Sequence, residues 1–459
     1  MKKVSASEPA SKKGCRELAV EILLKVEKRD AYADILLDHV LKKETLSARD
    51  RALLTQLVYG TLRWRGKIDW HLGRSLHRPL SAANPYLRNL LRLTLYQLLF
   101  LNRVPDYAAV NEAVELAKKH RGPRAAGLVN GVARRVLRER ELQQPNAQAD
   151  IVSRLAVLWS HPDWLVKKWL DYFGREEGEA LLKANNEEPL LTLRANRLKG
   201  DRASLIEILR EKGFDAVPTP WSPQGIGLKH SAAVDQLPGF HEGLFQIQGE
   251  ASQLVGYLLD PQPGERVLDG CAAPGGKTTH IAELMNDNGE IIAADISARG
   301  LEKLKQNVQR LALTSIHCYP VDVARGLPEA LEAPFDRILV DAPCSGLGTL
   351  RSHPETKWQR GEADIRRLSQ LQKKIVHRLS AYLKPGGILV YATCTLTRQE
   401  NEEIVEGFLD RQRDFVVEKA GNYLPEAARH LTRENYFLAL PHKHNTDGFF
   451  AARLRKATK

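Results

Sequence analysis

Two segments of the chain place a cysteine just beyond an apolar run. One reads Arg337-Ile338-Leu339-Val340-Asp341-Ala342-Pro343-Cys344-Ser345-Gly346-Leu347-Gly348, the other Ile388-Leu389-Val390-Tyr391-Ala392-Thr393-Cys394-Thr395-Leu396. A thiolate is strongly nucleophilic even when only a few per cent of the thiol ionises at neutral pH, which suits it to attack an electron-poor ring. A lone cysteine at a strand end is more often a small buried filler. Two of them, one preceded by Asp341, make that reading harder to hold. A third segment, Val267-Leu268-Asp269-Gly270-Cys271-Ala272-Ala273-Pro274-Gly275-Gly276-Lys277-Thr278, passes from an apolar run into glycines. Glycines there allow a tight turn and close approach of backbone to a ligand. Asp295, 20 residues after Gly275, closes the next apolar run, where a carboxylate can accept both hydroxyls of an adenosine ribose, and Asp322 follows a third run, placed for an adenine edge.

The glycine segment nearly spells the phosphate-binding G-x-x-x-x-G-K-[ST], and Arg337–Asp341 resembles a strand whose terminal aspartate holds magnesium. Cys271 stands where the first glycine is required, however, and Pro274 removes an N–H that would cradle phosphate. Nucleotide hydrolysis is therefore disfavoured, and the acids at Asp295 and Asp322 speak against a glycine turn without a ligand. The cysteines Cys15, Cys271, Cys318, Cys344 and Cys394 include no C-x-x-C pair. That pattern predicts neither a disulfide framework nor a metal site and fits a reducing cytoplasm. There is no apolar run of membrane-spanning length and no apolar segment behind the N-terminal lysines, so neither a membrane location nor a secretory signal is expected.

The elements that must position these residues follow from the apolar pattern. From about residue 245, short apolar runs at Arg266–Leu268, Ile291–Ala294, Ile316–Tyr319, Arg337–Val340 and Ile388–Tyr391 alternate with helical stretches. Such alternation predicts βαβ units and a parallel sheet, whose carboxyl edge would gather Asp269, Asp295 and Asp322 with both cysteines. Phe415–Val417 and Phe449–Ala452 predict two late strands at one edge. Upstream, strands are expected at Leu190–Arg194 and Ile226–Leu228 with a helix at Ala203–Lys212 between them. Residues 14–140 repeat apolar positions at helical spacing, with Leu87, Leu90, Leu91, Leu95 and Leu98 marking a central helix. Residues 143–148 read as a polar linker. A chain of 459 residues exceeds one compact core. We expect an α plus α/β multidomain protein with units at 1–145, 146–244 and 245–459.

Charge separates these units. Residues 1–145 hold 28 Lys+Arg against 15 Asp+Glu, a net +13, while the whole chain carries +12. The remainder is therefore close to neutral. A helical unit with the entire excess is an electrostatic footprint for nucleic acid, although a solvated basic surface would look the same.

These motifs resemble the RNA cytosine-C5 methyltransferases that use S-adenosylmethionine. The matches are Cys271–Thr278, Asp341–Gly348, Arg351–Trp358, Tyr391–Leu396 with Glu400-Asn401-Glu402, Phe245–Gln248 with Ala251-Ser252, and Asp447–Phe450. The first third resembles a NusB-like RNA-binding domain through Asp50-Arg51, Val58-Tyr59-Gly60, Asn111–Val114 and Val129–Gly131. The resemblance implies an N-terminal all-α NusB-like bundle and a small α/β subdomain. It also implies a C-terminal Rossmann-like methyltransferase domain with a mostly parallel seven-stranded sheet. It implies 16S rRNA as partner, with cytosine 967 in the usual rRNA numbering as target, no metal, and a monomer. By the same resemblance Cys394 is the nucleophile, Cys344 aids product release and Asp341 meets the N3/N4 edge of the base. Sequence alone leaves the choice between the two cysteines open. Cys271, Ala272, Ala273, Pro274, Gly275, Gly276, Lys277, Asp295, Asp322 and Asp341 would line the S-adenosylmethionine pocket. Lys277 would either contact the flipped base or cap its loop. One departure is Gly249, where the family usually has Asp. Competing expectations are another RNA such as tRNA, DNA, or a non-catalytic RNA-binding or antitermination factor; the intact cysteines, Asp341 and glycine loop argue against the last.

Overall fold

The computed structural model describes residues 13–29, 31–139, 145, 150–229, 234–331 and 334–458. The polar stretch 143–148 lies, apart from Pro145, outside the described residues. The chain forms two compact units: Met1–Lys167 with His353–Gln359, and Lys168–Ser352 with Arg360–Lys459.

The first unit is helical. Pro85–Phe100 is its central helix, opened by Pro85 in the first turn and by the Asn84 side chain, which accepts the Tyr86 N–H. Every residue of this helix from Tyr86 to Leu98 except Arg88 is buried, so it has no solvent face and must be surrounded. Leu18, Ile22 and Leu23 from one helix, Leu54, Leu57 and Val58 from another, and Val129 and Val132 from a third close around it. The burial of Arg92 is offset by ion pairs to Asp69 at 2.7 Å and Glu27 at 2.9 Å. Against the cost of burial, Arg88 and Arg92 hold the Glu27 carboxyl down at about 2. His353–Gln359 belongs to this same unit. Glu355 Oε1 accepts the Ala33 N–H at 3.0 Å, capping the helix Ala33–Lys43, and Trp358 Nε1 donates to the Leu62 carbonyl at 2.7 Å.

The second unit holds two sheets. The small one is β1 (Leu191–Ala195), β2 (Ala216–Pro218), β3 (Gly225–Leu228) and β4 (Phe245–Ile247), antiparallel in the order β2-β3-β1-β4. Leu205 and Leu209 of the helix Arg202–Glu211 pack with Leu193, Ile226 and Phe245 in its core. The large sheet comprises β5 (Arg266–Asp269), β6 (Glu290–Asp295), β7 (Ile316–Pro320), β8 (Phe335–Asp341), β9 (Leu383–Thr393), β10 (Phe415–Glu418), β11 (Thr432–Arg433), β12 (Tyr436–Ala439) and β13 (Phe449–Lys456). Strands β7-β6-β5-β8-β9 are mutually parallel, and β13, β12 and β11 extend the sheet antiparallel. The seven strands expected from sequence are β5 to β9 with β10 and β13. Two strands not expected from sequence bring the total to nine: β12 pairs the near half of β13 and β11 extends β12, while β10 pairs the far half of β13, Phe415 opposite Lys456. Strand β13 is thus interior, not at an edge. The inner parallel strands β5, β6, β8 and β9 are buried on both faces over most of their length, which is why Val267, Leu268, Ile291 and Val340 read as unbroken apolar runs, while β7 at the edge is only partly buried.

Candidate active site

Strands β8 and β9 run in parallel register with Asp341 opposite Ala392, so the loops leaving them emerge side by side. Cys344 Sγ lies 3.3 Å from Cys394 Sγ. The pair is held by backbone. The Ala342 N–H donates to the Ala392 carbonyl at 2.9 Å, and the Gly348 N–H donates to the Cys394 carbonyl at 3.0 Å. Gly448 N–H in turn donates to the Gly348 carbonyl at 2.7 Å. A Cβ on Gly348 would stand 2.1 Å from the Gly448 oxygen, so only glycine permits this three-loop crossing. Trp169 Nε1, fully buried, donates to the Leu396 carbonyl at 3.1 Å and closes the Cys394 loop from behind.

The two thiols are pushed apart in acidity. The hydrogen bond to Cys394, then burial, raises the Cys344 thiol well above its ordinary range. The hydrogen bond from Cys344 lowers Cys394, with the Lys277 charge assisting and burial, Asp341 and Asp447 opposing. Both effects favour ionisation at Cys394 over Cys344, in which case the Cys344 S–H is the donor of the contact. Lys277 Nζ stands 2.6 Å from Asp341 Oδ2 and 4.8 Å from the centre of the Phe449 ring. Of the two roles open to Lys277, the structure gives neither directly; it places the ammonium on Asp341.

The glycine loop joins β5 to the helix Gly276–Leu284. Gly270 N–H donates to the Leu339 carbonyl and Ala272 N–H to the Ala294 carbonyl, which fixes the loop between β8 and β6. Gly275 has φ of +104°, and a Cβ there would stand 2.3 Å from Leu304 Cδ1. The helix it opens has no side-chain cap, leaving its first N–H groups for a partner. Asp295 accepts the Ala273 N–H at 3.0 Å and the Ser297 N–H at 2.7 Å, which orients its carboxylate at the end of β6. Asp322 lies two residues beyond β7; it accepts the Ala324 N–H at 3.2 Å and pairs with Arg325 at 3.1 Å, so these bonds are local. Burial raises the Asp269 carboxyl to about 7, with Thr278 Oγ1 donating to it at 2.7 Å.

Three features are not legible from sequence reasoning alone. Arg194, fully buried on β1, pairs with Glu283 at 2.6 Å and donates to the Gly276 carbonyl at 2.7 Å, so it holds the helix that follows the glycine loop. A charged residue inside an otherwise apolar strand is the available signal. Glu400, in sequence only one member of a motif, lies buried beneath both cysteine loops. Gly249 is the N-cap of the helix Glu250–Leu259, and the cap its missing side chain would supply comes instead from Thr446 Oγ1, which accepts the Ala251 N–H at 3.3 Å.

Similarity to known proteins coincides with this geometry. The 16S rRNA methyltransferase RsmB/F family matches residues 256–455, the NusB family residues 13–138 and the ferredoxin-like domain of RsmF/B-like methyltransferases residues 161–235. The probable ribosomal RNA small subunit methyltransferase B of Bacillus subtilis (strain 168) is 40% identical over 447 residues, covering 97% of this chain and 99% of its own. The chain belongs to the RsmB/F methyltransferase family. It is accordingly a methyltransferase, and the helical first third is its NusB-like part. A second family member, ribosomal RNA small subunit methyltransferase B of Serratia proteamaculans (strain 568), is 38% identical over 90% of this chain and 92% of its own. Among solved structures, PH0851 covers 98% of this chain and all of its own with a TM-score of 0.83 at 29% identity. NSun6 from Pyrococcus horikoshii with SFG covers 66% of this chain and all of its own with a TM-score of 0.58 at 25% identity. Among the described residues no helix is long and apolar enough to cross a membrane.

Proposed function

We propose that this chain methylates C5 of a cytosine in 16S rRNA, using S-adenosylmethionine and a transient bond between Cys394 and C6 of the base. The observation that carries the reading is the Cys344–Cys394 sulfur pair, 3.3 Å apart, on the same sheet edge as the Lys277–Asp341 pair and the glycine loop. The names of the relatives, ribosomal RNA small subunit methyltransferases, point to the same substrate.

The residues present fit the cofactor. The uncapped start of the helix Gly276–Leu284 and the carboxylate of Asp295, half-buried and already oriented by two N–H groups, suit a ribose and its neighbouring polar groups. Residues 271–277, Asp295, Asp322 and Asp341 would hold it, largely through backbone in the loop. Related NSun6 was crystallised with SFG, an analogue of S-adenosylmethionine. When bound, S-adenosylmethionine supplies an electrophilic methyl group.

C5 of cytosine is a weak carbon nucleophile. Addition of the Cys394 thiolate to C6 turns C5 into an enamine-like carbon able to accept the methyl group. Asp341 would engage the N3/N4 edge and steady the adduct, with the Lys277 ammonium holding that carboxylate in place. Transfer of the C5 proton to a base then lets Cys394 leave as the thiolate, restoring the aromatic ring, and the Cys344 S–H steadies the departing sulfur by donating a hydrogen bond to it. The target base must be unstacked to reach these groups, at a cost of about a few kcal/mol. Mass-spectrometric mapping of 5-methylcytosine in small-subunit rRNA from cells with and without the protein tests the assignment. Loss of one modified cytosine is expected, and its persistence, or loss from tRNA instead, would overturn it.

A further inference from the structure

Below the two cysteine loops lies a carboxylate that none of the steps above uses. Glu400 is fully buried, in the turn that precedes the helix Glu402–Leu409. Its Oε1 accepts the Ser345 N–H at 2.8 Å and the Gln372 side-chain N–H at 3.1 Å. Its Oε2 accepts the Ser345 hydroxyl at 2.5 Å and the Thr397 hydroxyl at 2.9 Å. Four donors within 3.1 Å, two of them N–H groups that can only donate, match the four lone-pair sites of an ionised carboxylate, and the Thr395 hydroxyl makes a looser fifth contact to Oε2 at 3.4 Å. All these partners are neutral, so the charge is held by dipoles, with no counter-ion among the described residues within hydrogen-bond reach.

The partners sit next to the reacting thiols. Ser345 follows Cys344, and Thr395 follows Cys394. Because the Ser345 hydroxyl donates to Glu400, the 2.8 Å approach of the Ser345 and Thr395 oxygens has Thr395 as donor. One carboxylate therefore holds both loops, the Cys344 loop through Ser345 and the Cys394 loop through Thr395 and Thr397. Gln372 also donates to the Pro343 carbonyl at 3.0 Å, and Tyr391 donates to the Glu400 carbonyl at 2.6 Å, closing the bracket on the strand side.

Resting on the function proposed above, we infer that Glu400 is the positioning residue of the cysteine pair: it locks the Cys344 loop to the Cys394 loop and keeps the shared proton on Cys344. Its negative charge is bonded to the residue next to Cys344 and disfavours a second negative charge there. The elevation of the Cys344 thiol has its hydrogen bond to Cys394 and burial as main causes, with the Glu400 charge contributing in the same direction. Cys394 is instead faced by Lys277, which favours its thiolate, and by Asp341 and Asp447, which oppose it. Among the described residues the buried Tyr391 hydroxyl also faces this cluster, with Cys271 beyond it.

The test reads the thiols directly in the full-length protein without RNA. Limiting iodoacetamide between pH 6 and 9, followed by peptide mass spectrometry, gives the ratio of Cys394 to Cys344 alkylation. In wild type Cys394 is labelled first. In Glu400→Gln the ratio should fall toward equal labelling of the two thiols, because the charge bonded beside Cys344 is gone. Methylation kcat should fall by about tenfold or more with KM for RNA nearly unchanged, the pattern of a group acting only in the reacting complex. Ser345→Ala keeps the charge and removes the hydroxyl bridge, so it provides the readout should Glu400→Gln not fold: kcat falls while the labelling preference for Cys394 persists. A wild-type labelling ratio in folded Glu400→Gln, or wild-type kcat in Ser345→Ala, overturns the proposal. If wild type methylates no rRNA cytosine, the functional reading fails, while the labelling ratio still judges Glu400.

Discussion

Cys344 and Cys394 are fifty positions apart in sequence, yet their sulfurs are 3.3 Å apart, and both thiols are free. That separation is well beyond a disulfide bond of about 2.05 Å and within reach of a shared proton. Because β8 and β9 are adjacent and parallel, the pairing follows from sheet order: each loop leaves the same edge, and the Gly348–Cys394 hydrogen bond fixes their offset.

The two substitutions should fail in different ways. Cys394→Ala removes the attacking sulfur, so neither methylated RNA nor a protein–RNA adduct should form. Cys344→Ala leaves attack in place but removes the hydrogen-bond donor beside the departing sulfur. The enzyme should then accumulate bonded to its product, as a band that survives denaturing electrophoresis and requires both S-adenosylmethionine and substrate RNA. The double variant should behave as Cys394→Ala. An adduct that appears with Cys394→Ala and vanishes with Cys344→Ala would reverse the roles.

Asp295 should carry part of the cofactor affinity. Its carboxylate is already oriented by the Ala273 and Ser297 N–H groups, so a ribose would meet a preorganised acceptor. Asp295→Ala is expected to weaken S-adenosylmethionine binding by about 1.5–3 kcal/mol, the usual worth of hydrogen bonds to a charged group. Calorimetry giving wild-type affinity would remove Asp295 from the site.

Periodicity and strand ends are what the sequence makes legible. Four of the five parallel strands announce themselves because burial on both faces makes them apolar runs, and the acids and cysteines at their ends then have to share an edge. Strands β2, β4 and β11 span only two or three residues, too short for alternation to register, and β12 reads as a generic apolar patch. The apolar pattern puts the late strand β13 at an edge because the pairing of β10 and β12 to its two halves is a long-range choice. Glu400 and Arg194 are opaque for a similar reason. A charged residue in sequence is normally solvated, and only the tertiary structure gives the first its ring of donors and the second its partner Glu283.

Asp269 gives the second unit a pH signature. Burial raises its carboxyl from 3.8 to about 7, so between those values the folded state binds more protons than the unfolded one. Stability therefore falls as pH rises through this window, by up to about 1.4 kcal/mol per unit from this group alone. Asp269→Asn keeps an acceptor for Thr278 but cannot ionise. Its stability relative to wild type should rise steadily from about pH 4 to about pH 7 and level off above, as the linkage requires. Denaturant titrations showing a pH-independent difference would exclude this behaviour.

The buried Arg194–Glu283 pair should behave as a unit. Arg194→Met strands a fully buried Glu283 and also releases the Gly276 carbonyl, so a loss of about 3–5 kcal/mol in stability is expected. Arg194→Met with Glu283→Leu replaces the pair by apolar volume and should recover most of that loss. Denaturant midpoints of the two variants decide the matter: equal destabilisation would mean that the pair is not coupled.

The basic charge of the helical unit should appear as salt dependence of RNA binding. On the helix Pro123–Glu139, Ala126, Val129, Val132, Ala133 and Val136 face the core, while Arg124, Arg134 and Arg138 are exposed and Glu139 is the one acid. A face of this kind can neutralise phosphates and release their counterions whatever the RNA sequence. Replacing the three arginines by glutamine alters no buried side chain and should leave stability within about 0.5 kcal/mol. Every phosphate that is no longer neutralised should lower the slope of log affinity against log salt by about 0.7–0.9, so the triple variant should drop by roughly two to three units of slope if all three arginines touch the RNA backbone. Weakening should be uniform across RNA sequences, and the rate at saturating RNA should be unchanged, because these side chains act before the chemical step. Fluorescence anisotropy over a range of salt concentrations measures both the affinity and its slope, and an unchanged slope would move RNA binding to a different face of the unit.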